Sequence, residues 1–207
     1  MNTTITVYSH TCPPFPIKHS HTKEHILGLS LLCFGLFELY GLSFSADSIL
    51  SEIKKGKSKK PYLFNYPYIH FNISHCEGMI VCAFSSTSVG IDVEGIRPVS
   101  YSLAKKALTQ AELSFISTFP QESPEFQKLF SRFWTLKESL AKCTSYGITD
   151  SLFKVNFQFL NFPDSYEVTC SEKDFYFYHR DFDSQKTLSI CSKEPIKKVK
   201  FISVEKL

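Results

Sequence analysis

Two short runs hold the residue types that can do chemistry in this chain. Within Gly90-Ile91-Asp92-Val93-Glu94, the acids Asp92 and Glu94 stand at i and i+2 of a β-rich run. On a strand both carboxylates then emerge on one face and can reach one cation. Farther along, Phe133-Trp134-Thr135-Leu136-Lys137-Glu138-Ser139-Leu140-Ala141-Lys142 carries Glu138 and Lys142 at i and i+4, which puts an acid and a base on one face of a helix. Three carboxylates beside a lysine suit magnesium, a hard ion that keeps several waters and is usually held by a few carboxylates plus substrate phosphates. The chemistry implied is phosphoryl transfer. Singly, each run has a blander reading, because an Asp-x-Glu is more often a solvated strand edge and a Glu-x-x-x-Lys pair an exposed helix face. The weight rests on their combination.

Two earlier runs add anion-binding types. Lys60-Pro61 closes a basic loop, and Phe71-Asn72-Ile73-Ser74-His75 ends a strand pattern in a serine and a histidine. Loop lysines can neutralise phosphate charge, and a serine and histidine closing a strand can donate hydrogen bonds to an anion. His75 alone reads as an ordinary turn residue.

In this order and with these flanking residues, the four runs resemble the 4′-phosphopantetheinyl transferases, in particular the surfactin-synthetase-activating type, over most of the chain. The resemblance implies that Asp92, Glu94 and Glu138 hold magnesium and that Lys142 contacts the pyrophosphate of coenzyme A. It implies further that Lys60 and Pro61 belong to a coenzyme-binding loop, and that Ser74 and His75 stand near the coenzyme's phosphate groups. Coenzyme A would be the co-substrate and an apo acyl or peptidyl carrier protein the partner. A carrier serine hydroxyl would attack the β-phosphorus, taking the phosphopantetheine arm and releasing 3′,5′-ADP. The catalytic residues are then Asp92, Lys142 and Glu138, the last as the candidate acceptor of the serine proton. The fold implied is α+β, a pseudodimer of two similar lobes, each a small, mostly antiparallel sheet packed with helices. The active site lies at the lobe junction, and the division falls between residues 1–98 and 99–207. A monomer is expected, whereas the smaller, fatty-acid-specific holo-acyl-carrier-protein synthases have about half this length per chain and assemble as trimers.

One stretch departs from the pattern. Where the surfactin type has an arginine facing the coenzyme's 3′-phosphate, this chain aligns Glu24, with Lys18, Lys23 and His25 as open substitutes. That departure motivates an alternative, a coenzyme A or nucleotide-binding module that has lost transfer. The histidines His19, His21 and His25 lack cysteine or acid partners at ligand spacing, so no metal cluster is expected there.

Composition narrows the classes without choosing among enzymes. At 207 residues with 43% hydrophobic content the chain can bury a sizeable core. A net charge of +3 and only three arginines, Arg97, Arg132 and Arg180, do not suit a nucleic-acid binder, although a mildly basic surface favours acidic partners. The seven cysteines form no Cys-x-x-Cys, so neither a zinc site nor a disulfide framework is expected and the thiols read as reduced. The apolar stretch from Ile26 to Leu42 is interrupted by Glu38 and reads as a buried helix rather than a membrane span. No signal-peptide pattern precedes it, so the expectation is cytoplasmic, with no membrane. Asn72-Ile73-Ser74 matches a glycosylation sequon that nothing else supports.

The elements that must position these residues follow from periodicity and punctuation. Strands are expected at Thr3–Tyr8, Ile69–Ile73, Met79–Ser85 and Ser88–Glu94, and later near Phe153–Phe159, Tyr166–Cys170, Phe175–Tyr178 and Leu188–Cys191, pairing antiparallel. Helices are expected at Thr22–Tyr40, from Ser45 to about Lys54, from Ser100 to Phe119, and from Pro124 to Lys142. Phe115, Phe119, Phe126, Phe130 and Phe133 recur at helical spacing and read as core, with Trp134 as a core anchor for the helix that carries Glu138. Lys197, Lys198 and Lys200 read as a charged strand edge.

Overall fold

The computed structural model describes residues 2–13, 20–56, 60–147, 149–160, 168–182 and 185–207. The chain opens with β1 (Thr3–Thr11), α1 (Ser20–Tyr40), α2 (Ala46–Glu52), β2 (Ile53–Lys55) and β3 (Pro61–Leu63). There follow β4 (His70–Cys76), β5 (Met79–Ser85), β6 (Val89–Gly95), α3 (Tyr101–Ala107), α4 (Gln110–Ile116) and α5 (Pro124–Thr144). The last elements are α6 (Asp150–Lys154), β7 (Phe157–Phe159), β8 (Val168–Cys170), β9 (Tyr176–Phe182), β10 (Lys186–Ser192) and β11 (Ile196–Ser203). The chain is thus a mixed α+β protein.

Two sheets carry the architecture. One has the strand order β11-β1-β5-β4, the other β6-β10-β9, with β2-β3 and β7-β8 as two-stranded ribbons. Packing explains why β5 reads Met-Ile-Val-Cys-Ala-Phe-Ser with no polar alternation: its seven residues are all buried. Ile80, Cys82 and Phe84 enter a cluster with Leu31, Leu32 and Leu36 of α1, while Val81 and Ala83 face a second cluster. That second cluster also draws Ile5 and Val7 from β1, Val89, Ile91 and Val93 from β6, and Leu188 and Ile190 from β10, so the sheets pack face to face through it. Beyond the second sheet, Leu129, Phe133, Leu136 and Leu140 of α5 join residues of α3, α4, α6 and β7 in a third cluster. A strand buried on both faces must be apolar throughout.

The two sheets exchange segments across residue 98. β6 runs antiparallel to β10, with Asp92 opposite Ser189. Conversely, β11 pairs with β1, and that pairing is parallel, within a sheet that is otherwise antiparallel. Thr3 N–H donates to Pro195 O and Val204 N–H to Ser9 O, closing the ladder at both ends. β11 is an edge strand, as its lysines suggested.

Two expected elements are divided otherwise than periodicity proposed. The helix expected over Ser100–Phe119 is broken at Leu108, which is extended, because Thr109 opens a new helix with a capping box to Glu112. The strand expected from Phe153 begins instead as α6, and only Phe157–Phe159 is extended. Residues 57–59 of the basic loop, and the start of the strand expected from Tyr166, lie outside the described residues. No helix among the described residues is long and apolar enough to cross a membrane.

Candidate active site

α5 starts where its sequence says it should. Ser123 accepts from Phe126 N–H as N-cap, Pro124 occupies the first turn, and the helix ends at Ser145 in the left-handed region with φ 66°. Its inner face is anchored by polar contacts. Lys137, fully buried, pairs with Glu112 at 3.0 Å, and Glu112 also accepts from the N–H groups of Thr109 and Phe157. On the neighbouring turn Arg132 and Lys128 pair with Asp181 of β9. Burial alone would raise the Asp181 carboxyl, but hydrogen bonds from His179, Arg132 and Lys128 hold it far below the usual carboxylate range. Thr135 Oγ1 meets Ser189 Oγ of β10 at 2.8 Å.

The helix then lies directly on β6, and Gly90 makes this possible. A Cβ built at Gly90 would come 2.0 Å from Ser139 O and 2.5 Å from Cys143 N, both backbone atoms, so any side chain would push α5 away. The consequence reaches the next turns of each element, where Asp92 and Glu94 of β6 come to face Glu138 and Lys142 of α5.

A cavity of about 430 Å³ collects the result. Ser74, His75, Asp92, Glu94, Glu138 and Lys142 all line it, with Phe130, Trp134 and Leu103 as an apolar wall and Arg97 at its border. Asp92 is buried, and its Oδ1 accepts from Lys142 Nζ at 2.6 Å and from Ser74 Oγ at 2.9 Å. Its other oxygen, Oδ2, is buried with no hydrogen-bond partner. Burial first, then Asp92 and Glu94, push the Glu138 carboxyl up to about 7 against the lowering influence of Lys142. Glu94 is likewise raised, by burial and then Asp92, and lowered by Arg97, Lys142 and a hydrogen bond with Trp134.

This donor set fits a hard divalent cation: an orphaned carboxylate oxygen and two neighbouring acids that resist ionisation together describe a deficit of positive charge. The acids are not drawn into a finished ligand shell. Among the described residues no group of three or more His, Cys, Asp or Glu is placed to hold a metal ion as it stands.

Of the residues singled out in the sequence, Lys60 and Pro61 lie elsewhere. They line a separate cavity of about 300 Å³ with His70, Ser88 and Ser145. Lys60 Nζ donates to Ser88 Oγ, Val89 O and Cys143 O at 3.1, 2.9 and 3.2 Å, so it ties the start of β6 to the end of α5. Of the possible substitutes for the missing arginine, Lys18 lies outside the described residues and Lys23 and His25 are exposed. Glu24 instead pairs with His75 at 3.3 Å.

Three contributors were missed. Trp134 packs against the third core cluster as expected, but it also lines the cavity together with Glu94. Asn72 is buried and its Oδ1 accepts from Ile91 N–H at 2.9 Å, while Ser74 Oγ accepts from Val93 N–H at 3.3 Å. Side chains of β4 thereby satisfy the free edge of β6 where a neighbouring strand would. The signal was readable, since polar residues at i and i+2 of a strand share a face. Arg97, the third, carried no spacing that set it apart.

Comparison with known proteins supplies the family. The 4′-phosphopantetheinyl transferase superfamily matches residues 88–191, the span that contains β6 and α5. A 4′-phosphopantetheinyl transferase of Bacillus subtilis is 31% identical over 144 residues, 66% of this chain and 60% of that protein. Sfp of Bacillus subtilis strain 168 is 34% identical over 90 residues, 44% of this chain and 39% of Sfp, and psf-1 of Bacillus pumilus 27% over 180, 84% and 72%. The chain belongs to the 4′-phosphopantetheinyl transferase superfamily, and its relatives include Sfp, as the sequence motifs led us to expect. The matches span less than two thirds of the length of the first two relatives.

Proposed function

We propose that this chain transfers the 4′-phosphopantetheine arm of coenzyme A to a serine hydroxyl of an apo carrier protein, releasing 3′,5′-ADP. The observation that carries the reading is the convergence of Asp92, Glu94, Glu138 and Lys142 on one cavity, with Asp92 Oδ2 buried and unpartnered. Asp92, Glu94 and Glu138 are the residues that would hold magnesium. Bound there, the ion would neutralise charge developing on the coenzyme pyrophosphate.

The protein's own groups do the rest. Lys142, already poised between Asp92 and Ser74, offers its ammonium to the departing phosphate. Glu138, with its carboxyl raised by burial and its acidic neighbours, accepts the serine proton directly or through water. The apolar wall of Phe130, Trp134 and Leu103 restricts water around the reacting groups. Ser74 and His75 stand on the coenzyme side, and Lys60 and Pro61 extend coenzyme contacts to the neighbouring cavity. No enzyme nucleophile is required, so positioning supplies much of the rate.

The reading includes two lobes meeting near residue 98, supported by two sheets that each carry a 21-residue helix on the outer face. The exchanged strands β6 and β11 tie one lobe to the other. A cytoplasmic monomer fits seven free thiols. The test is intact-mass analysis of apo carrier proteins of fatty-acid and peptide-synthetase types after incubation with this protein, coenzyme A and magnesium. A gain of one phosphopantetheine arm that is abolished by chelator is expected. Coenzyme binding without any covalent product on any carrier would overturn the proposal.

A further inference from the structure

Cys143 and Cys191 stand out among the cysteines because the fold presses them together. Cys191 of β10 is the register partner of Gly90, and Gly90 is where the Cys143 backbone makes its closest approach to the sheet. Both cysteines are buried in the third core cluster at this point. Cys143 Sγ also lies 3.4 Å from Ser88 O, and the Lys60 ammonium lies 3.2 Å from Cys143 O. The Cys191 hydrogen bond, opposed by burial and helped by Lys60 and Ser88, holds the Cys143 thiol below its ordinary range, while burial pushes Cys191 up. With the Lys60 ammonium beside it, Cys143 is the attacking member and Cys191 the resolving one.

We propose that Cys143 and Cys191 form a peroxide-sensitive thiol pair whose disulfide pins the end of α5 to β10. The Cys143 thiolate attacks one oxygen of hydrogen peroxide, the O–O bond breaks, and the departing hydroxide takes a proton to leave as water. Cys191 sulfur then displaces the sulfenic oxygen, which leaves with the remaining protons as a second water. Two thiols are oxidised by two electrons and one peroxide is reduced. Both side chains are almost fully buried, so a small oxidant is the class that fits. Drawing the sulfurs to bonding distance, about 2.05 Å, shifts the last turn of α5, and Lys142 rides on that turn. Slower transfer in the oxidised protein follows, a consequence that rests on the function proposed above.

The experiment treats the full chain with hydrogen peroxide, alkylates the remaining thiols under denaturing conditions and maps the peptides. The expected product is a Cys143–Cys191 linked peptide that dithiothreitol removes, absent in both Cys143→Ala and Cys191→Ala. Transfer is measured in parallel, with a reversible loss of about tenfold or more expected in the wild type and none in Cys191→Ala. Alkylation of both cysteines after peroxide, or linkage of either to another cysteine, would overturn the pair. A clean disulfide with unchanged transfer would overturn the effect on Lys142. Absence of transfer even in the reduced protein would count against the proposed function and leave the peptide result standing.

Discussion

α1 and α5 are both 21 residues long and both lie on the outer face of a sheet, yet they are held by different physics. α1 has no acid in its first turn and no base in its last, and apart from the half-exposed Glu24–His75 contact it meets its sheet through Leu31, Leu32, Leu36 and close-packed Gly35. α5 buries Gln127, Ser131, Arg132, Thr135, Lys137 and Ser139, and reaches its sheet through ion pairs and hydroxyl contacts as well as leucine and phenylalanine. Apolar packing fixes distance but tolerates small rotations; directional bonds fix rotation and translation together. The helix that must aim Glu138 and Lys142 is the one with the directional bonds, as a preorganised site demands.

The largest break in this comparison should come from the site. Asp92→Ala or Glu138→Ala is expected to slow transfer by about a hundredfold or more, the range of losing a key electrostatic contact, while Glu38→Ala on exposed α1 surface leaves it unchanged. Carrier mass gain over time measures this, and near-normal rates in both site variants would sink it. Lys137→Met should come next. Stripping one partner from a buried pair costs about 3–5 kcal/mol, and thermal melting should register it as a loss of about 6–20 °C for a domain of this size.

A paired glycine test sharpens the contrast. Gly90→Ala meets immovable backbone, whereas a Cβ at Gly35 would come 2.3 Å from the Phe84 ring, a side chain that can give way. Both should destabilise, by about 1–3 kcal/mol, but only Gly90→Ala should also reduce transfer, because only it displaces α5. Equal activity in the two variants would show that the helix does not need its seat.

The smallest effect is a pH dependence. Asp181 is depressed in the folded state, so its stabilisation is complete above the unfolded carboxylate value near about 3.9 and is lost as pH falls below it. Melting temperatures between pH 6 and pH 2 should fall more steeply for the wild type than for Asp181→Asn. Parallel curves would assign the acid sensitivity to other groups.

Much of this could be read from the chain because it is local. The two-residue spacing of Asp92 and Glu94 and the four-residue spacing of Glu138 and Lys142 needed only strand and helix geometry, and the apolar run Met79–Ser85 was read as a strand. What escaped was decided by partners distant in sequence. Leu108 breaks its helix because Thr109 and Glu112 cap a new one whose acid is wanted by Lys137 and Phe157. Lys60 is drawn to Val89 and Cys143 carbonyls that no spacing connects to it. Asn72 looked like a sequon and proved to be a substitute strand.

The pairing of β1 with β11 has a consequence for how the protein is made. As the chain emerges from a ribosome, β1 can find β5 once Met79–Ser85 has been synthesised, but its other flank has no partner until β11 arrives more than a hundred residues later. Through that interval a run of bare amide and carbonyl groups is available to neighbouring nascent chains. A chain that stopped just before Ile196 would make that exposure permanent and should yield insoluble material rather than a slightly weaker protein.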